Sequence, residues 1–335
     1  MKKEIIIIFT ILFCSCETDV DLDLIQHDSL LVVNGMLDAN SPISINVSHS
    51  RGALDEAKIT SIKDATIILY ENDIELGQML IDSTPQPIQL THTVFPNNYH
   101  HHDTVYYYYY DTYPNAGSTY SIQVSHPDYK TAFATTRMPE ELNFLSVELF
   151  TDTTVSTLPH TGYYNTAFNI HFNDNPLEKN FYRTVLYNYW GNVDLAKDYF
   201  GELSLHTTDS AGALRLHSND ASLMYTDLGL SLDYPEYFFS GHHAMFDDDL
   251  FNGETKDLSF HVEYDLEQGC LWNDQQFLLM AVYNEDAYYY FKSIAKSNSF
   301  LNTPINSEPV PIYSNIENGV GIFAGYSILF QNIKN

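Results

Sequence analysis

The sequence predicts a mainly β protein with one short helix. Aromatic residues make up 14% of the 335-residue chain, with 26 Tyr and 20 Phe, and they fall largely in short alternating runs. Such side chains fit the pleated, half-buried surface of a strand. Apolar residues recur with period two between turn-forming clusters, which is the pattern of strands with one buried face. A single stretch combines helical spacing with capping signals.

The elements follow in order. Residues 17–29 read as a tether, and Leu30-Leu-Val-Val-Asn-Gly as a first strand ending in a turn. Pro42 opens Ile43-Ser-Ile-Asn-Val-Ser, with Ile43, Ile45 and Val47 on one face. Ala65 to Tyr70 is another strand, and Ile74-Glu-Leu-Gly-Gln-Met-Leu alternates through Ile74 and Leu76. Thr104 to Asp111 contains five consecutive tyrosines, Tyr106–Tyr110, whose alternation puts rings on both faces. Asn115-Ala-Gly turns the chain into Tyr120-Ser-Ile-Gln-Val, and Thr131 to Thr136 completes the set. About seven short strands in roughly 110 residues predict an immunoglobulin-like or carboxypeptidase-regulatory-like β-sandwich over 30–138. The Cys…Trp…Cys hallmark is missing, so strand spacing alone carries this expectation.

Met138-Pro139-Glu-Glu marks the expected boundary, and 139–335 is expected to form a second β-rich domain. Its candidate strands are 143–150, 166–173, 181–190, 258–265 and 275–283, with a less regular stretch at 191–257. The helix starts at Asn284, a capping residue, with Glu285 and Asp286 where the helix dipole favours acids. Tyr288, Phe291 and Ala295 share a face with Ile294 beside them, so the tyrosines here read as core. Gly321-Ile-Phe-Ala-Gly-Tyr-Ser-Ile-Leu-Phe closes the chain as a final strand.

The charge balance narrows the partners. Fifteen basic residues face 44 acidic ones, a formal net charge of −29. That surface repels nucleic-acid phosphates and anionic lipid, and it attracts cations and basic partners. Solubility is the plainer consequence.

The first residues, MKKEIIIIFTILFCSC, place Lys2 and Lys3 before an apolar run from Ile5 to Phe13. That run is about half of the ~20 residues a membrane-spanning helix needs, so 1–15 read as a secretory signal. Leu12-Phe13-Cys14-Ser15-Cys16 resembles a bacterial lipobox, and the small Ser15 selects Cys16 as the lipidated residue. A thiol is required there because a thioether to diacylglycerol forms, and each buried acyl methylene then adds roughly 0.8 kcal/mol of membrane affinity. Residues 16–29 would be a lipidated, acidic tether. The acids Glu17, Asp19, Asp21 and Asp23 resemble the signal that sends Bacteroidota lipoproteins to the outer face of the outer membrane. After cleavage only Cys16 and Cys270 remain, and with Cys16 lipidated no internal disulfide can form. Cys270 then reads as a small buried hydrophobe.

Several segments together resemble a Bacteroidota lipoprotein family catalogued as domain-of-unknown-function family 4249. They are Leu31-Val-Val-Asn-Gly, Ile62-Lys-Asp-Ala-Thr-Ile-Ile-Leu, Ala116-Gly-Ser-Thr-Tyr-Ser-Ile-Gln-Val and Phe246-Asp-Asp-Asp-Leu-Phe-Asn-Gly. The most specific is Pro309-Val-Pro-Ile-Tyr-Ser-Asn-Ile-Glu-Asn-Gly-Val-Gly-Ile-Phe-Ala-Gly-Tyr. The resemblance implies an outer-membrane lipoprotein, often encoded beside a TonB-dependent receptor. It implies no catalytic residue and no ligand.

Two clusters invite metal chemistry. His100-His-His102-Asp103 carries imidazoles that suit Zn, Cu or Ni, and His100 with His102 is the better pair because adjacent residues of a strand face opposite ways. A solvated hairpin tip is the plainer expectation. Asp247-Asp-Asp249, with Asn252 and Glu254 close by, offers oxygen ligands suited to Ca²⁺. Asp247 and Asp249 are the candidate ligands. The EF-hand pattern fails, because Phe251 stands where an acid or amide is needed, and an acidic turn is the plainer expectation. No cofactor is therefore expected. The motifs G-x-S-x-G, H-E-x-x-H, G-x-x-x-x-G-K-[ST] and G-x-G-x-x-G are all missing from the sequence.

The leading expectation is a surface-exposed lipoprotein, not an enzyme, held to the outer membrane through Cys16 and serving a TonB-dependent transporter as accessory or ligand-binding partner. A structural or adhesive envelope protein is the alternative, and a surface hydrolase ranks third.

Overall fold

A computed structural model describes residues 28–52, 60–82, 86–92, 99–152, 165–189, 194–197, 203–206, 212–213, 216–218, 220–224, 244–262, 275–297 and 311–334. The first strands are β1 (Leu31–Asp38), β2 (Ile43–His49), β3 (Thr66–Glu71), β4 (Ile74–Gln78) and β5 (Leu80–Ile81). Then come β6 (Gln86–His92), β7 (Tyr99–Val105), β8 (Tyr107–Tyr110), β9 (Thr119–His126) and β10 (Tyr129–Arg137). Beyond Met138 lie β11 (Asn143–Asp152), β12 (Asn165–Asn173), β13 (Phe181–Tyr189), β14 (Asp194–Lys197) and β15 (Leu203–His206). The short strands β16 (Gly212–Ala213) and β17 (Leu216–His217) lead to a four-residue helix, α1 (Ala221–Met224). The chain closes through β18 (Ala244–Asp247), β19 (Thr255–Val262), β20 (Gln275–Tyr283), helix α2 (Glu285–Ser297) and β21 (Gly319–Lys334).

The protein is mainly β, as the periodicity predicts, and most expected strands lie within a few residues of their positions. Three differences are informative. The tyrosine run is not one strand: β7 pairs with β6, whereas β8 pairs with β2. The break falls at Tyr106, whose backbone N–H donates to the Ser61 hydroxyl and whose ring lies 3.6 Å beneath the Lys63 ammonium. The described residues of the stretch 191–257 contain five short strands, β14 to β18, and a second helix, α1, beside the one that the sequence displays. The third difference is how the sheets connect.

One nine-stranded sheet runs β16-β13-β20-β21-β1-β2-β8-β5, with β18 also paired to β13. Its central strand, β21, is 16 residues long. The first half of β21 pairs in parallel with β1, from Leu31↔Gly319 to Asp38↔Tyr326. The second half pairs antiparallel with β20, starting at Tyr283↔Tyr326. Tyr326 is therefore a waist where the strands of the sandwich hand over to those of the second region.

Two smaller sheets, β10-β9-β3-β4 and β11-β12-β19-β17, pair beyond this one. The first closes a core with β1, β2 and β8 around Val33, Ile45, Ile67, Tyr108, Ile122 and Phe323. The second closes another around Phe168, Phe172, Phe260, Tyr182, Leu278 and Met280. Strand alternation puts Phe323 on the same side of β21 as Ile333, so both small sheets cover one face of the large sheet. The opposite face carries Met36, Phe181, Leu279, Tyr283, Ile322 and Tyr326, and α2 packs there through Ala287, Tyr288 and Tyr290. The segments on either side of Met138 thus have separate cores on one shared sheet. Met138 itself is fully buried, within the sandwich core.

Local chemistry explains α2. The Asn284 side chain accepts the Ala287 N–H at 3.0 Å, which caps the helix, and its amide donates back to the Arg137 carbonyl at 3.1 Å. Among the described residues no helix is long and apolar enough to cross a membrane.

Candidate functional site

The acidic run Asp247-Asp-Asp249 sits where β18 ends, between two buried rings, Phe246 and Phe251. Those rings fix the turn, and each carboxylate then meets a different donor. Asp248 is buried and accepts the Asn180 N–H at 2.7 Å, while its own N–H donates to the Asn180 carbonyl. Burial holds the Asp248 carboxyl above the usual carboxylate range, and the nearby Asp174 adds to that. Asp247 is raised as well, first by burial, and its carboxylate accepts the Asp249 N–H at 3.2 Å. Asp249 lies 2.8 Å from the Lys179 ammonium, which is 3.9 Å from Asp247. Burial works against the Lys179 charge, but Asp249 and Asp247 outweigh it and hold its pKa above the ordinary value.

The same knot takes in Asp174, which sequence reasoning did not single out. It accepts the Tyr182 hydroxyl through one oxygen and the Gly253 N–H at 2.7 Å through the other. Ca²⁺ requires six to eight oxygens converging on one point. Here Asp247 accepts the Asp249 N–H, Asp248 accepts the Asn180 N–H and Asp249 meets the Lys179 ammonium, each through one oxygen. No group of three or more His, Cys, Asp or Glu is placed to hold a metal ion among the described residues.

His100 and His102 lie inside β7, opposite Thr91 and Gln89 of β6, rather than at the hairpin tip expected of them. A regular antiparallel ladder of seven residue pairs places them in the ribbon. Cys16 and Cys270 lie outside the described residues.

The tyrosine run sorts as its period requires. The Tyr108 side chain enters the core, where its hydroxyl donates to the Ile62 carbonyl and accepts the Ala65 N–H. Tyr110 packs against the same core, and its hydroxyl donates to the Leu76 carbonyl. Tyr107 and Tyr109 therefore belong to the other face. Cross-strand register places Ser44 opposite Tyr109, Asn46 opposite Tyr107, and Leu80 of β5 on the other side of Tyr109. Asn34 of β1 lies opposite Asn46 and extends the row. Tyr109 is 39% exposed and Leu80 59% exposed, so this end of the large sheet is open to solvent. Asn34, Ser44, Asn46, Leu80, Tyr107 and Tyr109 are uncharged, but Asp82, whose N–H donates to the Tyr107 carbonyl, brings a carboxylate to the same side two residues beyond Leu80. The sequence displayed the alternation of rings, but not the neutral residues that other strands bring beside them.

A second aromatic group surrounds Tyr289 on the exposed side of α2. Its ring lies 5.9 Å from Tyr313 and 6.2 Å from Phe181, with the Lys292 ammonium 6.0 Å from its centre. Lys179 and the acids of the knot border it, so this surface is charged.

Comparison with known proteins places the chain in a family but assigns it no activity. No curated protein matches it. Among solved structures, the partial N-terminal region of an enterococcal surface protein aligns at 8% identity with a TM-score of 0.16, covering 94% of this chain and 97% of that one. The family described as "Domain of unknown function (DUF4249)" matches residues 17–330, nearly the whole length, and the chain belongs to it.

Proposed function

We propose that this protein is an outer-membrane lipoprotein that faces outward and acts as an accessory or ligand-binding partner of a TonB-dependent transporter. The observation that carries this reading is Leu12-Phe13-Cys14-Ser15-Cys16 directly after the apolar run Ile5–Phe13. The thiol of Cys16 is the attachment point, and the acids that follow begin a spacer ending near Ser29, where β1 is about to start. A sheet-built body with an open aromatic face supports a binding role.

The test is a Cys16→Ser variant in cells labelled with a radioactive fatty acid. The wild-type chain takes up label and fractionates with outer membranes, and the variant does neither. An unlabelled wild-type chain, or a variant that fractionates unchanged, overturns the anchor. Protease treatment of intact cells reads the orientation. Purification from gently solubilised outer membranes reads the partnership, and recovery without a transporter counts against it.

A further inference from the structure

The turn that closes the acidic knot carries a reactive pair of residues. Asn-Gly occurs three times in the chain, at 34–35, 252–253 and 318–319. In such a pair the glycine nitrogen stands next to the Asn carboxamide carbon, with no Cβ to shield it. Ring closure between the two needs a free carboxamide and a base for the glycine N–H proton. Of the three pairs, 252–253 alone meets both conditions. Asn34 lies inside β1, opposite Asn46 on one side and Ile322 on the other. The Asn318 amide donates to the Thr131 carbonyl at 3.2 Å. Asn252 is exposed, and its side chain has no hydrogen-bond partner among the described residues. The Gly253 N–H donates to the Asp174 carboxylate at 2.7 Å. Asp174 is buried and its other oxygen accepts the Tyr182 hydroxyl, so the base is held in place. Gly253 sits at φ +75° against Pro176, in a turn closed by the Glu254 N–H on the Phe251 carbonyl.

We infer that Asn252 is a self-modification site and that Asp174 is its base. The Gly253 nitrogen bonds to Cγ of Asn252 while Asp174 takes its proton. The bond from Cγ to Nδ2 then breaks, and the same proton leaves with Nδ2 as ammonia. The product is a succinimide ring, and one water molecule opens it to Asp or to isoaspartate at 252. No oxidant or cofactor enters the balance. Either product adds a carboxylate to a turn that already carries Asp249 and Glu254. Isoaspartate also adds one carbon to the main chain, which draws Gly253 away from Asp174. The knot thus carries a one-way change that accumulates with the age of the molecule.

The experiment ages the full-length, detergent-solubilised chain at neutral pH and body temperature, and maps its peptides by mass spectrometry. Asn252 is expected to convert roughly tenfold or more faster than Asn34 and Asn318. A carboxylate base keeps the rate nearly flat between about pH 6 and 8, whereas attack driven by hydroxide rises about tenfold per pH unit. Asp174→Asn keeps an oxygen for the Gly253 N–H but removes the base, and is expected to slow conversion about tenfold or more. If that variant does not fold, the pH profile of the wild type decides. Asn252 that persists as long as Asn34 or Asn318 overturns the inference. So does a rate that climbs tenfold per pH unit, or a folded Asp174→Asn chain that ages as fast as wild type. Neither the anchor nor the partner proposed above bears on this site, so each idea can fail without the other.

Discussion

At the scale of single residues, Tyr120 shows how one hydroxyl locks a turn. It is buried at the start of β9, accepts the Asn115 N–H at 2.9 Å, and donates to Glu71 at 2.7 Å. A tyrosine bonding back to the backbone a few residues upstream is a device of immunoglobulin-like sandwiches. Burial pushes its pKa up to about 12. A proton held more tightly in the folded chain contributes stability below the unfolded pKa, near 10, and that contribution fades as pH rises through the folded value. Tyr120→Phe is therefore expected to cost about 1–3 kcal/mol at pH 7 in urea unfolding. Between pH 10 and 12 the wild type loses its advantage over the variant. Asp248 follows the same sign in a lower pH range. Its carboxyl is raised by burial, so its charge opposes folding at neutral pH and the penalty lifts as pH falls toward the ordinary carboxylate range. Asp248→Asn keeps an acceptor for the Asn180 N–H and is expected to be at least as stable as wild type at pH 7, with the wild type gaining on it as pH falls toward about 4. Asp248→Ala leaves that buried N–H unpaired and is expected to cost about 1–3 kcal/mol. The sequence put Tyr120 on the inner face of a strand, but its hydroxyl partners lie on a turn and on β3, which no local pattern reveals.

At the scale of elements, β21 explains why the closing segment is rich in glycine. Gly321 adopts φ +114°, and a Cβ there would come within 2.1 Å of the Val33 carbonyl oxygen on β1. Gly325 faces Met138 so closely that a Cβ would stand 2.6 Å from its sulfur. Gly321→Ala combines an unfavourable backbone region with a clash against backbone, and is expected to cost about 2–4 kcal/mol in thermal or urea unfolding. A loss below about 0.5 kcal/mol would mean that β1 and β21 are not in contact as described. Strands such as Ile43–His49 and Thr119–His126 were legible because each buries one face, so alternation survives in the sequence. The helix was legible through Asn284 and its acidic first turn. The parallel pairing of Leu31 with Gly319 was not, because nothing local in either strand specifies a partner almost 300 residues away. The same reason hid the open face: β8 was visible as a tyrosine run, but Ser44, Asn46 and Leu80 reach it only through sheet register.

At the scale of the whole molecule, the long shared sheet decides how the chain unfolds. Residues 30–138 have a core of their own, yet Phe323 and Ile316 belong to it and β21 covers the β1 edge. The intact chain is therefore expected to melt in one calorimetric transition, with equal calorimetric and van't Hoff enthalpies. A fragment ending at 138 is expected to fail to fold, with 311–334 required to rescue it. Two separated melts, or a stably folded fragment, would show that the halves are independent. The shared strand also sets a direction of strength. β21 extends about 50 Å, and β1, the first strand among the described residues, lies parallel against its near half. A pull on the N-terminus against resistance at the far half drags these two strands lengthwise past each other, loading their hydrogen bonds together rather than peeling them one at a time. The molecule is thus built to withstand traction along its own long strand, and its weakest direction is crosswise.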